Sequence, residues 1–402
     1  MAPRAETYNF GAGPSCLPED VLREAARGII DYESTGIGLT EISHRSKEFS
    51  ALVQDAKKNL KEALQLPDDY TVLFTQGGGS LQFSSVALNL LSRYAALHPT
   101  APSPSLDYLV TGSWSSKAAA EARRLGGNVN VVLDTRKSSK NKKFDNLPSN
   151  VEAKGWNWTR GENKPAYVYY CDNETVDGIE FGVEGFPVEE VDEDVPLIAD
   201  MSSNILSRPI PNLHRHALIY AGAQKNIGPA GLTIIIVRSS LLVDVDAPFL
   251  PTAAHPAPAW APRVPQMLSY KLLADNDSLY NTPPMFAIYL SNLVVRRLLS
   301  HGGVPAIQVT NERKAEKLYE AIEKLQSFEG KVESGRSRMN VVFEVKGEGR
   351  EKTFLEGAEE RGLRQLKGHR SVGGIRASLY NAVSEEAVDV LIQWMEEFDK
   401  SA

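Results

Sequence analysis

Tyr220-Ala221-Gly222-Ala223-Gln224-Lys225-Asn226-Ile227-Gly228-Pro229-Ala230-Gly231 is the stretch that decides the fold of this chain. A lone lysine follows a short apolar strand, Ala217 to Ala221, and precedes a turn rich in Gly and Pro. A second apolar strand, Leu232 to Val237, comes at once. A lysine at a strand end, on irregular backbone and out of bulk water, loses its proton more easily than a free one. As a neutral amine it can attack a carbonyl and form a Schiff base. Upstream, Val195-Pro196-Leu197-Ile198-Ala199-Asp200 reads as a buried strand ending on a carboxylate. A lysine for an aldehyde and an aspartate for a pyridinium nitrogen are the pair that a pyridoxal phosphate site needs. A surface lysine in a tight turn, with an aspartate capping a helix, is the plain alternative for such a pair taken alone.

Outward from that stretch the pattern repeats. Thr71 to Phe74, Leu106 to Thr111, Val129 to Leu133 and Ala166 to Cys171 are further short strands, most of them continuously apolar and separated by helical or turn segments. That is the signature of an α/β fold with a mainly parallel sheet covered on both faces. Helices are expected over 46–65, from Leu81 to Ser92, over 287–300 and 306–325, and from Glu385 to Phe398 with Ser384 as N-cap. Asn340 to Phe343 reads as a late strand, so a smaller C-terminal α/β domain is expected after a boundary near residue 285. The stretch from Lys137 to Lys164, rich in Lys and Asn, reads as a solvated loop, and 248–284, rich in Pro, as irregular connection.

At 402 residues the chain can hold two domains. A net charge of −7 argues against a general nucleic-acid or membrane-surface binder. Two cysteines, Cys16 and Cys171, cannot build a disulfide framework or a multi-cysteine metal site. The start has no apolar signal core, and the apolar run Leu232 to Val237 is far too short to cross a bilayer. A cytoplasmic protein without a metal is expected.

The residues able to do chemistry cluster at predicted strand ends. Gln76-Gly77-Gly78-Gly79-Ser80 is either a phosphate cradle opening a helix or a simple tight turn. No Gly-Lys-Ser/Thr follows, so it is not a nucleotide P-loop. Trp114 can stack on a planar ring or belong to the core. Thr175 follows the next strand. Ser80, Trp114, Thr175, Asp200 and Lys225 thus all fall at strand ends, where open α/β sheets bind ligands. Two basic pairs, His44-Arg45 and His369-Arg370, with Arg376 close behind, suit a dianionic ligand, although each pair alone also reads as a solvated turn.

Asn9 to Pro14, Glu41 to Phe49, Asp200 to Pro209, Tyr220 to Gly231 and Gly368 to Ala382 together resemble the phosphoserine aminotransferase family, in order from residue 8 to about 395. The lysine run and Ser43-His44-Arg45-Ser46 are the specific parts; the glycine turn is not. The resemblance implies a fold-type I pyridoxal phosphate transferase with a seven-stranded sheet, acting as a homodimer. It implies a large domain over 16–285 and a small one from 1–15 and 286–402. The implied reaction is 3-phosphohydroxypyruvate plus L-glutamate giving O-phospho-L-serine plus 2-oxoglutarate. Lys225 then holds the cofactor aldehyde and shuttles a proton, and Asp200 keeps the ring nitrogen protonated. Trp114 stacks on the ring, Gly79, Ser80 and Gln224 serve the phosphate, and Thr175 makes a polar contact. Asn281 and Thr282 reach the phosphate across the dimer. Arg376 binds the substrate α-carboxylate. His44, Arg45, His369 and Arg370 form the distal anion pocket, the first two coming from the partner subunit. Some family members carry Arg where Ser80 stands.

A cysteine desulfurase of the same fold needs a late catalytic cysteine, and both cysteines here are early. An aminotransferase for small neutral substrates has no use for two His-Arg pairs. A non-catalytic binder is expected to have lost at least one of Lys225, Asp200, Trp114 and Arg376.

Overall fold

The computed structural model describes residues 4–161, 164–250 and 253–401. Its centre is a seven-stranded sheet built from β1 (Tyr70–Thr75), β2 (Ser105–Val110), β3 (Asn128–Asp134), β4 (Val168–Cys171), β5 (Leu197–Asp200), β6 (His216–Gly222) and β7 (Thr233–Arg238). The spatial order is β1-β7-β6-β5-β4-β2-β3. β7 runs antiparallel to both its neighbours and every other pairing is parallel. The α/β fold read from the sequence is therefore the fold-type I arrangement.

Alternation along each strand explains the continuous apolar runs. Val72, Phe74, Ile219, Ala221, Ile234 and Ile236 face one core. Leu73, Leu218, Tyr220 and Ile235 face the other. A strand buried on both sides has no polar face to show, so its sequence loses the two-residue rhythm. The first core is closed by α1 (Glu19–Ile30), α2 (Lys47–Leu64) and, later in the chain, a long helix Met285–Ser300. The second is closed by α3 (Gly78–Leu97) and α4 (Ser113–Arg124). Ser46 caps α2 by accepting the Phe49 amide at 3.1 Å.

A three-stranded antiparallel sheet of β8 (Phe328–Gly330), β9 (Asn340–Val345) and β10 (Ile375–Ser378) follows. Three late helices, Gly303–Lys324, Arg350–Glu360 and Glu385–Lys400, pack on it around Phe328, Phe343, Phe354, Trp394 and Phe398. Ser384 does cap the last helix, accepting the Ala387 amide at 3.1 Å. The chain start joins this layer, with Tyr8–Asn9 pairing in parallel with Leu363–Arg364.

Two expectations need correction. The 248–284 stretch contains a helical turn and a half, α5 (Tyr270–Asp275), capped by Ser269 and anchored by buried Tyr270 and Leu273. Six residues are too few for a periodic signal to stand out beside so many prolines. The polar stretch 137–164 is largely irregular but not simply solvated, because Ala153 and Trp158 are buried and Trp158 packs edge-on against Phe186. Its residues 162 and 163 lie outside the described ones, as do 251 and 252 of the proline-rich stretch. Among the described residues no helix is long and apolar enough to cross a membrane.

Candidate active site

The parallel strands end level with one another. Asp200, the last residue of β5, is in register with Cys171 of β4 and Tyr220 of β6. The loops after β1, β2, β4, β5 and β6 therefore meet at one edge, around a cavity of about 330 Å³. Gly79, Ser80, Trp114, Thr175, Asp200, Gln224 and Lys225 all line it. These are the candidates that the strand-end argument singled out, together with Gln224 and Gly79. A larger cavity, about 830 Å³, lies beside the N-terminal segment. It holds none of these groups, so volume is a poor guide here.

Lys225 is fixed from three sides. Its backbone oxygen accepts from the Ser15 hydroxyl, and the Ser15 amide donates to Gln224 O at 2.9 Å. Its aliphatic stem runs against Gly13, where a Cβ would stand 2.9 Å from Lys225 Cε. Its Nζ donates to the Thr175 hydroxyl at 3.3 Å and sits 5.7 Å from the Tyr380 ring centre. The amine thus has one neutral partner and open cavity beyond it.

Asp200 is buried, and burial pushes its carboxyl up. Hydrogen bonds from the Ser202 amide (2.9 Å) and hydroxyl (2.6 Å) to Oδ1 pull the other way. The other oxygen, Oδ2, lies 3.5 Å from where a Cβ on Gly79 would stand. The carboxylate is thus anchored by one oxygen, and the other lies beside the helix start that forms the cavity's opposite wall.

That helix start is α3. The amides of Gly79 and Ser80 belong to its first turn and have no intrahelical acceptor. They carry the positive end of the helix dipole toward the cavity. An amine, a carboxylate, an indole and a pair of free amides are the donor set that an aldehyde-bearing, phosphorylated pyridine requires.

The basic residues stand further out. Arg376, in β10, is half-buried, and its Nη1 donates to Thr175 O at 3.2 Å. Burial lowers its pKa. His369 is half-buried and Arg370 exposed on the loop before β10. Burial, followed by Arg376, Lys117 and Arg370, lowers the His369 pKa. His44 and Arg45 lie between α1 and α2, and His44 Nδ1 is 3.1 Å from the Thr282 hydroxyl. His44 Nε2 is buried without a partner among the described residues. Asn281 Nδ2 is 3.5 Å from Gln76 Oε1, beside the glycine turn of its own chain. So His44, Arg45, Asn281, Thr282, His369, Arg370 and Arg376 do not line the cavity itself.

Sequence reasoning missed Gly13, Ser15, Ser202 and Tyr380. An Asp at a strand end is a usual signal for a carboxylate folded back on the amide two residues on, and that turn, with Ser202 in it, was there to read. The contacts of Gly13 and Ser15 with Lys225 join residues far apart in the chain and leave no local trace.

A family model described as aminotransferase class-V matches residues 7–391. Phosphoserine aminotransferase of Aromatoleum aromaticum (strain EbN1) is 42% identical over 393 residues, covering 97% of this chain and 98% of that one. The Pseudomonas aeruginosa PAO1 protein of the same name is 43% identical over 401 residues, covering 100% and 99%. The solved phosphoserine aminotransferase of Bacillus circulans subsp. alkalophilus has a TM-score of 0.84 at 39% identity, covering 98% of this chain and 99% of that one. Its Trichomonas vaginalis counterpart, solved with pyridoxal phosphate bound, has a TM-score of 0.80 at 36% identity, covering 97% and 99%. With a lysine and an aspartate meeting at the strand ends, and likeness along the whole length, the chain belongs to the class-V aminotransferases, within the phosphoserine aminotransferase family.

Proposed function

We propose that this enzyme transfers the amino group between L-glutamate and 3-phosphohydroxypyruvate, giving 2-oxoglutarate and O-phospho-L-serine. The observation that carries the reading is the cavity at the strand ends, which gathers the Lys225 amine, the Asp200 carboxylate, the Trp114 indole and the Gly79 and Ser80 amides. The names and lengths of the relatives support it.

Pyridoxal phosphate, when bound, supplies an aldehyde and a ring able to take up the electron pair left at the substrate Cα. The chain's residues do the rest. Lys225 Nζ holds the cofactor and then moves a proton at the substrate Cα. Thr175 keeps that amine aimed by accepting its hydrogen bond. Asp200, anchored by Ser202, keeps a proton on the ring nitrogen. Trp114 covers a ring face. The Gly79 and Ser80 amides receive the phosphate with Gln224 beside them, so the serine side chain at 80 need carry no charge.

Arg376 takes the α-carboxylate as a fork. His369 and Arg370, with His44 and Arg45 of a second copy, take the distal anion. One pocket then accepts both a phosphate and a γ-carboxylate, because these side chains read charge more than shape. Asn281 and Thr282 reach the phosphate of the second copy. Support for a homodimer is that these residues do not line the strand-end cavity of their own chain and that His44 Nε2 has no partner among the described residues. We further propose a large domain over 16–285, a small domain from 1–15 and 286–402, and a cytoplasmic location.

The test is a substrate comparison. Glutamate with 3-phosphohydroxypyruvate should yield 2-oxoglutarate, and replacing the phosphorylated acid by 3-hydroxypyruvate should lower kcat/KM by roughly 10- to 100-fold, the loss of one charged hydrogen bond. Equal rates with 3-hydroxypyruvate or pyruvate would make it an aminotransferase for neutral substrates instead.

A further inference from the structure

Glu174 is fully buried and has no part in the roles above. It ends a two-residue strand, Asn173–Glu174, that turns through Gly178 and pairs back through Ile179–Glu180. Its Oε2 accepts the Trp114 amide and its Oε1 the Ser115 amide, both at 2.8 Å. Asp177, buried in the same hairpin, accepts the Ser113 amide at 2.7 Å and the Ser113 hydroxyl at 3.2 Å. Two carboxylates from one hairpin thus hold the first three amides of α4, the helix that presents Trp114.

The acceptors for these three amides are imported, because the N-cap residue has no side chain and the helix's own Ser115 hydroxyl serves only the Gly112 amide, at 3.1 Å, and the Thr111 amide, at 3.0 Å. That N-cap is Gly112, and the place where a Gly112 Cβ would stand is already filled, 2.3 Å from Glu174 Cγ and 2.4 Å from Cδ. An ordinary helix start uses one local Ser, Thr, Asp or Asn. Two buried carboxylates at one helix end are a costly substitute. Burial and then the neighbouring Asp177 push the Glu174 carboxyl up, against the pull of its amide donors. The hairpin also does more than cap. Its next residue, Thr175, receives the Lys225 amine through its hydroxyl and Arg376 through its carbonyl oxygen. On its far side the hairpin is tied to the β9 region, with Asn173 Nδ2 donating to Asn340 Oδ1 at 2.8 Å and the Ser337 amide to Gly178 O at 2.9 Å. Ring-stacking residue, amine and carboxylate clamp are therefore placed by two consecutive residues, Glu174 and Thr175, of one short hairpin.

We propose that Glu174, with Asp177 as a second arm, is a positioning residue of the reaction that sets where the Trp114 indole stands over the cofactor ring, in register with the Lys225 amine held by Thr175. The inference rests on the function proposed above. Glu174 works through Trp114, so its contribution to cofactor affinity disappears when the indole is absent.

A double-mutant cycle reads this directly. Apo-protein is equilibrated with pyridoxal phosphate and bound cofactor is measured by ultrafiltration, for wild type, Glu174→Gln, Trp114→Ala and the pair. Gln keeps the shape but puts an amino group against an amide N–H. The expected result is a loss of affinity of at least tenfold for Glu174→Gln in the wild-type background and less than twofold in the Trp114→Ala background. A cap that only stabilises the fold gives the same factor in both backgrounds, or a lower Tm with unchanged affinity, and either result overturns the proposal. Should Glu174→Gln fail to fold, Asp177→Asn goes through the same cycle, with a loss of at least threefold expected only when Trp114 is present; equal factors or no loss overturn the proposal. Wild-type protein that binds no pyridoxal phosphate removes the functional reading itself, and this inference with it.

Discussion

The hydroxyl of Thr175 accepts the hydrogen bond of Lys225 Nζ at 3.3 Å. That contact ties the loop after β4 to the turn that follows β6, and Thr175 passes the tie on to Arg376 through its carbonyl oxygen at 3.2 Å. The group proposed to move the proton and the group proposed to hold the α-carboxylate are thus indexed to one residue. Lys225→Ala should abolish turnover, since both covalent attachment and proton transfer are lost. Thr175→Val, which keeps size and removes only the acceptor, should lower kcat by roughly tenfold, about the value of one hydrogen bond to a charged group. Steady-state rates on cofactor-saturated protein check both, and near-normal turnover of Lys225→Ala would remove the assignment.

If one pocket serves both distal anions, Arg45→Ala should raise KM for phosphoserine and for glutamate together. The expected loss is about 1.5–3 kcal/mol for each, the worth of a charged hydrogen bond. A change confined to one substrate would show that the two anions bind in different places.

His216 is buried, with Nε2 2.7 Å from the Tyr170 hydroxyl and Nδ1 3.2 Å from Asn212 O. Burial lowers its pKa from 6.5 to about 4. Between those values the unfolded chain binds a proton that the folded one refuses. The stability is therefore present above pH 6.5 and lost as the pH falls toward 4, by at most about 3 kcal/mol. Urea unfolding across this range should show a steeper decline for the wild type than for His216→Gln. Equal slopes would mean that His216 does not report its burial.

Lys314 lies on the helix Gly303–Lys324, is fully buried and pairs with no carboxylate among the described residues. Its Nζ donates to Leu379 O and Tyr380 O at 3.0 Å and to Val383 O at 2.9 Å. It thereby shapes the turn that brings Tyr380 to Lys225. Lys314→Met removes the donor from three carbonyl oxygens, of which Tyr380 O keeps the Val383 amide at 2.9 Å, and should cost about 3 kcal/mol in urea unfolding. A cost below about 1 kcal/mol would mean that water or a backbone shift satisfies them.

What the sequence disclosed and what it hid have a common physical basis. Strands buried on both faces advertise themselves as continuous apolar runs, so their ends, and with them Ser80, Trp114, Thr175, Asp200 and Lys225, could be placed in one plane. α4 stayed hidden because its apolar face is mostly alanine, as in Lys117-Ala118-Ala119-Ala120. β8 stayed hidden because a three-residue strand with one buried side chain has no rhythm. Glu174 was passed over for another reason. Nothing local separates a buried carboxylate from a surface one when its partners, Trp114 and Ser115, lie some sixty residues earlier.

The most direct test takes cofactor-loaded protein, adds excess O-phospho-L-serine without a keto acid, and follows the absorption spectrum. The visible band of the lysine-bound cofactor should vanish while the near-ultraviolet band of its amine form grows, and Lys225→Ala should show no such exchange. A visible band that persists under saturating phosphoserine, yet yields to another amino acid, would contradict the substrate assignment.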